Sequence, residues 1–167
     1  HVKNVISRLD AFGLNQSELF KGKTICINPG HQKTGNSELE LMSPISDALK
    51  AKVTSGAKGE EEYNLKIAKV LKKVLEEMGA KVIMTRETSD VNISNKERAI
   101  IGNEADLVIN IHCNSADNAN AKGTWLLIPN QKNLGNKTIY ESSKRLAEKI
   151  KVSLSDYRNI KVFERDD

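Results

Sequence analysis

Two histidines follow short apolar stretches of this sequence, and their positions suit metal chemistry. His31 comes directly after ICINPG, and His112 comes directly after DLVINI. A catalytic zinc ion commonly takes two histidines and one carboxylate as protein ligands and keeps its fourth position for water. The two histidines therefore predict a metal site if the fold brings them together. For either residue alone, a hydrogen-bonded structural imidazole is the alternative interpretation.

The third ligand is expected among three consecutive glutamates, Glu60, Glu61 and Glu62, at the start of a predicted helix. Helical spacing places them on different faces. Glu62 shares a solvent-facing stripe with Lys66, Lys69 and Lys73; Glu60 aligns with Asn64, Ile67, Leu71 and Met78; Glu61 aligns with Leu65 and Ala68. The pattern excludes Glu62 and favours Glu60 over Glu61 as the residue facing the sheet. The alternative is that all three only complement the positive end of the helix dipole.

A structural zinc site that uses cysteine is a second interpretation of the same region. Its ligands would be Cys26, His31, His112 and Cys113. Neighbouring residues in a strand point to opposite faces, so His112 and Cys113 should diverge, and Cys26 lies well inside the first strand. Strand alternation therefore opposes this site, and both cysteines are expected to behave as small buried hydrophobes.

Strand-like and helix-like segments alternate along the chain and must position these residues. The predicted strands are 23–28, 81–85, 106–111 and 124–128, with a fifth starting at 161–163, and the predicted helices are 61–78, 94–104 and 137–154. Short apolar strands separated by amphipathic helices favour an α/β fold, an open, mostly parallel sheet with helices on both faces. Sites in such sheets lie at the carboxyl ends of the strands, where both histidines fall.

Composition limits the classes of protein that fit. The 167 residues are 38% apolar, which suits one compact domain; we predict a lead-in or linker over residues 1–20 and the domain over 21–167. The net charge is +4, but aromatic residues make up only 4% and no arginine-rich stripe is present, which argues against a nucleic-acid partner. No apolar run approaches the roughly 18 residues of a membrane span, and residues 1–20 lack the layout of a signal peptide.

The connection between the first strand and the first helix is unusually long. Residues 32–59 are rich in Ser, Lys and Gly and contain Pro44. Connections of this length in a compact domain are usually functional or mobile. We interpret the segment as a lip of a substrate groove, with a mobile surface loop as the alternative.

In combination, several segments resemble one enzyme family, the zinc-dependent N-acetylmuramoyl-L-alanine amidases of bacterial cell walls, type 3 group. They are ICINPGHQ, Glu60 followed by Asn64-Leu65, VIMTRE, NISNKERAIIGNEADLVINIHCN and GTWLLIP. The resemblance runs from about residue 23 to 167 and implies an amidase/phosphorylase-like three-layer sandwich. It implies zinc on His31, Glu60 and His112, and places Asn114 near the metal, where it either binds substrate or braces its loop.

The resemblance also implies a reaction, hydrolysis of the amide between N-acetylmuramic acid and L-alanine in peptidoglycan. Zinc would polarise the carbonyl and lower the pKa of bound water toward 7. The implied location is extracellular and cell wall associated, and a regulatory protein partner would be of unknown identity. Two alternative functions are a catalytically silent wall-binding or partner-regulated module, and another metal-dependent wall hydrolase such as a deacetylase.

The chain departs from the family pattern at two places. Gln32 stands where many members have glycine after the histidine. The family's second glutamate, which serves as general acid or base, is expected beyond Asp167, together with the last strand and helix, so the catalytic residue stays unknown. Glu164 and Asp166 are the nearest carboxylates, and we expect both to be solvated rather than catalytic.

Overall fold

The structure is a computed structural model that describes residues 15–43, 46–113, 117–118, 120–130, 137–154 and 160–165. The strands in this part of the chain are β1 (Thr24–Pro29), β2 (Asn36–Ser43), β3 (Ser46–Val53), β4 (Lys81–Met84), β5 (Leu107–Ile111), β6 (Thr124–Pro129) and β7 (Ile160–Arg165). The α-helices are α1 (Glu60–Glu77), α2 (Asn95–Gly102) and α3 (Lys137–Leu154). The predicted strands and helices are therefore confirmed, with boundaries that shift by one or two residues.

The central sheet has the strand order β4-β1-β5, and both pairings are parallel. Cys26 of β1 lies opposite Ile83 on one side and Val108 on the other. Parallel strands run in the same direction, so the carboxyl ends of β1 and β5 lie at one edge of the sheet. Pro29 pairs with Ile111 at that edge, and this register brings the residues after both strands close together.

Helices cover both faces of this sheet. On one face Ile25 and Ile27 form a buried core with Ala68 and Leu75 of α1. Gly102 of α2 lies against Val108, which points to the opposite face because side chains alternate along β5. The predicted layering of helices on both faces of a parallel sheet is therefore confirmed.

The buried face of helix α1 differs slightly from the sheet-facing stripe that the sequence predicts. Glu60, Asn64, Leu65, Ala68 and Leu75 are buried. Ile67 was expected on the sheet-facing stripe but is 47% exposed, so its assignment was wrong. The helix begins after Gly59, which has a positive φ of 77° and provides no side-chain cap.

The connection between β1 and α1 contains β2 and β3, which pair with each other in a two-stranded sheet. Leu39, Leu41 and Leu49 are each more than half exposed on these strands. Lys52 and Glu38 form an ion pair of 2.6 Å. The long connection predicted from the sequence therefore contains regular structure that its composition did not reveal.

The described residues form two compact units, the first within 1–41 and 48–115 and the second within 42–47 and 116–167. In the second unit, β6 and β7 form a separate parallel pair from Thr124 opposite Ile160 to Pro129 opposite Arg165. Ile128 packs there against Tyr140 and Ala147 of α3. The two strands are parallel as predicted, but among the described residues they pair with each other and not with a strand of the central sheet.

The predicted domain boundary at residue 21 stays a prediction, and residues 1–14 lie outside the described residues. Phe20 packs against the central core, and its N–H donates to the Met78 carbonyl at 2.9 Å. Among the described residues, none of the helices combines the length and apolar character that crossing a membrane requires.

Candidate metal centre

His31 lies just beyond the carboxyl end of β1 and is fixed at both its backbone and its ring. Its φ is 59°, a left-handed conformation that few non-glycine residues adopt. Its ring Nδ1 lies 2.9 Å from the Thr54 carbonyl oxygen and 3.2 Å from Thr54 Oγ1. A carbonyl oxygen can only accept a hydrogen bond, so Nδ1 carries the proton. The lone pair of Nε2 is therefore left for a metal ion or another donor.

Glu60 is the first residue of α1, and its side chain is only 5% exposed. Its Oε2 accepts a hydrogen bond from the Ala57 N–H at 3.0 Å, and its Oε1 accepts one from the Cys113 N–H at 3.1 Å. Burial acts to raise the pKa of Glu60, but the Ala57 N–H, the electrostatic effect of the neighbouring His31, the Asn64 amide and the Cys113 N–H outweigh it and lower the pKa. The carboxylate is therefore ionised at neutral pH and able to bind a cation.

His112 follows the last residue of β5 and faces the same carboxylate. Its Nδ1 lies 3.3 Å from Glu60 Oε1, and its ring meets the ring of His31 edge-on at a centroid distance of 4.7 Å. A Cβ added to Gly30 would lie only 2.2 Å from the His112 ring. Glycine is therefore required beside the ring, because any side chain at this position would displace it.

The three side chains have the geometry of a metal-binding site. One ligand atom from each of His31, Glu60 and His112 lies within 4.8 Å of the other two. Two ligands of a tetrahedral zinc with bonds of 2.0–2.1 Å are about 3.3 Å apart. The distances from Glu60 Oε1 are 3.4 Å to His31 Nε2 and 3.3 Å to His112 Nδ1. Two imidazoles and one carboxylate therefore fit a zinc ion in chemistry, and the two distances from Glu60 match the spacing of its ligands.

Comparison with known proteins identifies the family of the chain. A family model described as N-acetylmuramoyl-L-alanine amidase matches residues 25–166. The chain belongs to this amidase family. The match includes all three residues of the candidate metal centre.

Relatives of this amidase family member include staphylococcal proteins. The probable cell wall amidase LytH of Staphylococcus epidermidis is 39% identical over 107 residues, which cover 64% of the chain and 31% of that protein. The protein of the same description from Staphylococcus saprophyticus is 36% identical over 137 residues, 80% of the chain and 37% of that protein. The chain thus spans about a third of the length of these relatives.

Solved structures of amidases share the fold. The N-acetylmuramyl-L-alanine amidase Ami1 from Mycobacterium smegmatis aligns with a TM-score of 0.75 at 17% identity, covering 90% of the chain and 76% of that structure. The CwlD amidase from Clostridioides difficile, solved in complex with the GerS lipoprotein, aligns with a TM-score of 0.56 at 22% identity, covering 87% and 74%. At these identities the likeness concerns the fold.

The structure brings together His31, Glu60 and His112, the three residues predicted as metal ligands. Glu61 lies outside the cluster, and so do Cys26 and Cys113, although the Cys113 N–H contacts Glu60. The alternative cysteine-containing zinc site, which strand alternation opposed, is therefore not formed by the described residues.

The remaining sequence-predicted residues do not join this centre. Asn114 and Asp166 lie outside the described residues, and their roles stay predictions. Glu164 belongs to the second unit, where it accepts a hydrogen bond from the Tyr140 hydroxyl.

Sequence reasoning missed the residues that surround the ligands. Thr54 holds the His31 ring, and Arg86 and Arg98 are buried beneath the turn that carries it. The segments VIMTRE and NKERA contain both arginines, but the sequence could not show that their charges are buried. Arginine is almost never fully buried unless paired.

Proposed function

We propose that this protein is a zinc-dependent hydrolase that cleaves the amide between N-acetylmuramic acid and L-alanine in peptidoglycan. The observation that supports the proposal most directly is the convergence of His31, Glu60 and His112 at the spacing of zinc ligands, in a chain of the amidase family. Peptidoglycan is then the substrate, and we propose an extracellular, cell-wall-associated place of action.

Each residue of the centre has a distinct part in this proposal. His31 would bind zinc through Nε2, since its Nδ1 proton is held by Thr54. Such contacts with a carbonyl orient the ring and increase its basicity as a ligand. His112 would bind through Nδ1, the nitrogen that faces Glu60. Glu60 would supply the single negative charge of the ligand set.

The chemistry that zinc supplies when bound is polarisation of the amide carbonyl and activation of water at neutral pH. The protein's own residues hold the ligands in place before the ion binds. Backbone N–H groups from Ala57 and Cys113 hold both oxygens of Glu60, and the Thr54 carbonyl holds His31. This preorganisation reduces the cost of assembling the site around the ion.

The experiment is a turnover assay of the full-length protein, including the glutamate expected beyond Asp167, with purified peptidoglycan and added Zn²⁺. We expect release of stem peptides with free L-alanine amino termini, and loss of that release with a chelator. His31→Ala and Glu60→Ala should abolish activity, whereas Glu62→Ala, on the exposed side of the same helical turn, should not. Cleavage that persists in the presence of chelator would contradict the zinc mechanism.

Product mass separates this proposal from the two alternative functions. Amidase action splits glycan from peptide, whereas a deacetylase would remove only acetyl groups. A protein that binds zinc and peptidoglycan but releases no product would instead be a silent wall-binding module. The proposal therefore requires both the amine product and its dependence on the metal ligands.

A further inference from the structure

Two arginines are buried at the base of the candidate metal centre. Arg86 is 3% exposed and Arg98 is 5% exposed. Neither forms a salt bridge with a carboxylate within the part of the chain that the structure describes. Burial of an unpaired charge is costly, and an effective penalty of several kcal/mol per ion is typical. Burial lowers the pKa of Arg98 to about 10, with Arg86 adding to the effect, and burial also lowers the pKa of Arg86. An arginine side chain is not deprotonated in proteins, so both keep their charge.

Backbone carbonyl groups take the place of carboxylate partners. Arg86 Nε and Arg98 Nη1 both donate to the Pro29 carbonyl at 3.0 Å. Arg86 Nη2 donates to the Gly30 carbonyl at 3.0 Å, and Arg98 Nη2 donates to the His31 carbonyl at 3.1 Å. Three consecutive carbonyls are thus held by two guanidinium groups. A strained conformation such as the positive φ of His31 persists only where its surroundings over-determine it.

Arg86 makes one further contact that Arg98 lacks. Its Nη2 also donates to the Glu61 carbonyl at 2.7 Å, in the first turn of α1. One nitrogen therefore connects the turn that ends in His31 with the helical turn that begins at Glu60. Arg98 instead contacts Asn28, Thr85 and Gln32, none of which belongs to α1.

We propose that Arg86 is a positioning residue that sets the separation of His31 from Glu60 and thereby the affinity of the site for its metal. Arg98 supports the His31 turn alone. This inference rests on the metal centre of the proposed function, and it adds a residue that does not itself bind the metal.

Lysine cannot replace Arg86 in this position. The guanidinium presents donors in a rigid planar fork, and here Nε, Nη1 and Nη2 each reach a different set of carbonyls. A lysine ammonium keeps the charge but lacks the fork, so it cannot hold Pro29, Gly30 and Glu61 together. Loss of a group that orients a ligand typically costs 10–100-fold in metal affinity. We expect Arg86→Lys to weaken zinc binding by about this factor.

The test is Zn²⁺ affinity measured on the purified protein by competition with a chromophoric chelator. Arg86→Lys is compared with Arg98→Lys, which keeps the contact to α1 and should lose less affinity. The matched control is Arg145→Lys on α3, where an exposed arginine donates to Ser142 Oγ at 3.2 Å and the affinity should not change. Thermal unfolding of the metal-free proteins shows which variants are folded. The visible spectrum of bound Co²⁺ reports ligand geometry and should change in Arg86→Lys.

The outcomes separate this inference from the proposed function. If the unaltered protein binds no Zn²⁺, the metal centre itself is wrong and the inference falls with it. If the unaltered protein binds Zn²⁺ and a folded Arg86→Lys binds it equally well with the same Co²⁺ spectrum, only the inference is overturned.

A second variant tests the same connection if Arg86→Lys does not fold. Asn64 of α1 is fully buried and donates from Nδ2 to the Gly30 carbonyl at 3.1 Å. Asn64→Leu keeps the volume but removes this link between α1 and the His31 turn. The Asn64 amide also lowers the pKa of Glu60, so affinity is measured well above that pKa, where Glu60 stays ionised in both proteins. Under that condition weaker Zn²⁺ binding by a folded Asn64→Leu protein supports the inference, and unchanged binding overturns it.

Discussion

Glu60→Gln tests the most buried member of the candidate metal centre. The substitution preserves the size of the side chain and removes its charge. Both carboxylate oxygens accept a backbone N–H, Oε2 from Ala57 at 3.0 Å and Oε1 from Cys113 at 3.1 Å. Glutamine has one acceptor oxygen, so one of these N–H groups would face an amide NH₂ that cannot accept.

The size of the effect follows from this mismatch. A buried donor left without an acceptor costs about 1–3 kcal/mol, so the metal-free variant should lose about that much free energy of unfolding. The affinity for Zn²⁺ should fall by a larger factor than this loss of stability alone implies, because the site loses its negatively charged ligand. Loss of a group that only orients a ligand lowers metal affinity by about 10–100-fold. Removal of the ligand itself should therefore lower Zn²⁺ affinity by at least about 100-fold.

Glu61→Gln and Glu62→Gln are the matched controls, since they lie in the same helical turn outside the metal cluster. If the three glutamates served only the helix dipole, each substitution would have a similar effect of about 0.3–1 kcal/mol. Urea denaturation of the metal-free proteins and chelator competition for Zn²⁺ measure the two quantities. Equal effects of all three substitutions on both quantities would refute the assignment of Glu60 as a ligand.

Other substitutions probe the surroundings of the ligands. Thr54→Val keeps the carbonyl that holds His31 but removes the hydroxyl 3.2 Å from Nδ1, so zinc affinity in the chelator assay should fall by about tenfold or less. Gly30→Ala would place a Cβ 2.2 Å from the His112 ring, so its loss of zinc affinity should exceed that of Thr54→Val; unchanged affinity would mean that the ring is not a ligand. Helix α2 begins with a capping box, in which the Ser94 N–H donates to Glu97 Oε2 at 2.7 Å. This hydrogen bond lowers the pKa of the Glu97 carboxyl, so its contribution to stability is complete above the unfolded-state pKa and is lost as the pH falls through the folded-state pKa. As the pH is lowered through this range, urea denaturation should show a smaller loss of unfolding free energy for Glu97→Gln than for the unaltered protein.

The histidines could be predicted because their signal is local. Each follows an apolar strand, and parallel strands with adjacent carboxyl ends place their following residues together. Glu60 was favoured for a reason that was only partly correct, since Ile67 of the same stripe is exposed while Glu60 and Asn64 are buried. Its position in the first turn of α1, nearest the sheet edge, is what brings it to both histidines.

The burial of the two arginines depends on contacts between distant segments and could not be predicted from spacing. The burial of Arg86 and Arg98 depends on carbonyls supplied by the turn after β1, about 57–69 residues away. Strands β2 and β3 had a local signal, the alternation Glu38-Leu39-Glu40-Leu41, which is typical of a strand. The segment was nevertheless interpreted as a loop, because it is long and rich in residues that favour loops.

The last residues of the connection between β1 and α1 are part of the metal centre. We expect them to tolerate substitution less well than strands β2 and β3 of the same connection. Thr54 follows β3 and holds His31, and Gly56 lies so close that an added Cβ would be 2.5 Å from the His31 ring and 2.9 Å from Glu60 Oε2. Gly56 also has a φ of 74°, which favours glycine. The exposed leucines of β2 and β3 make no such contact with a ligand. Sequence changes in those strands should therefore act on the site only when they move the last residues before α1, which hold the metal ligands directly.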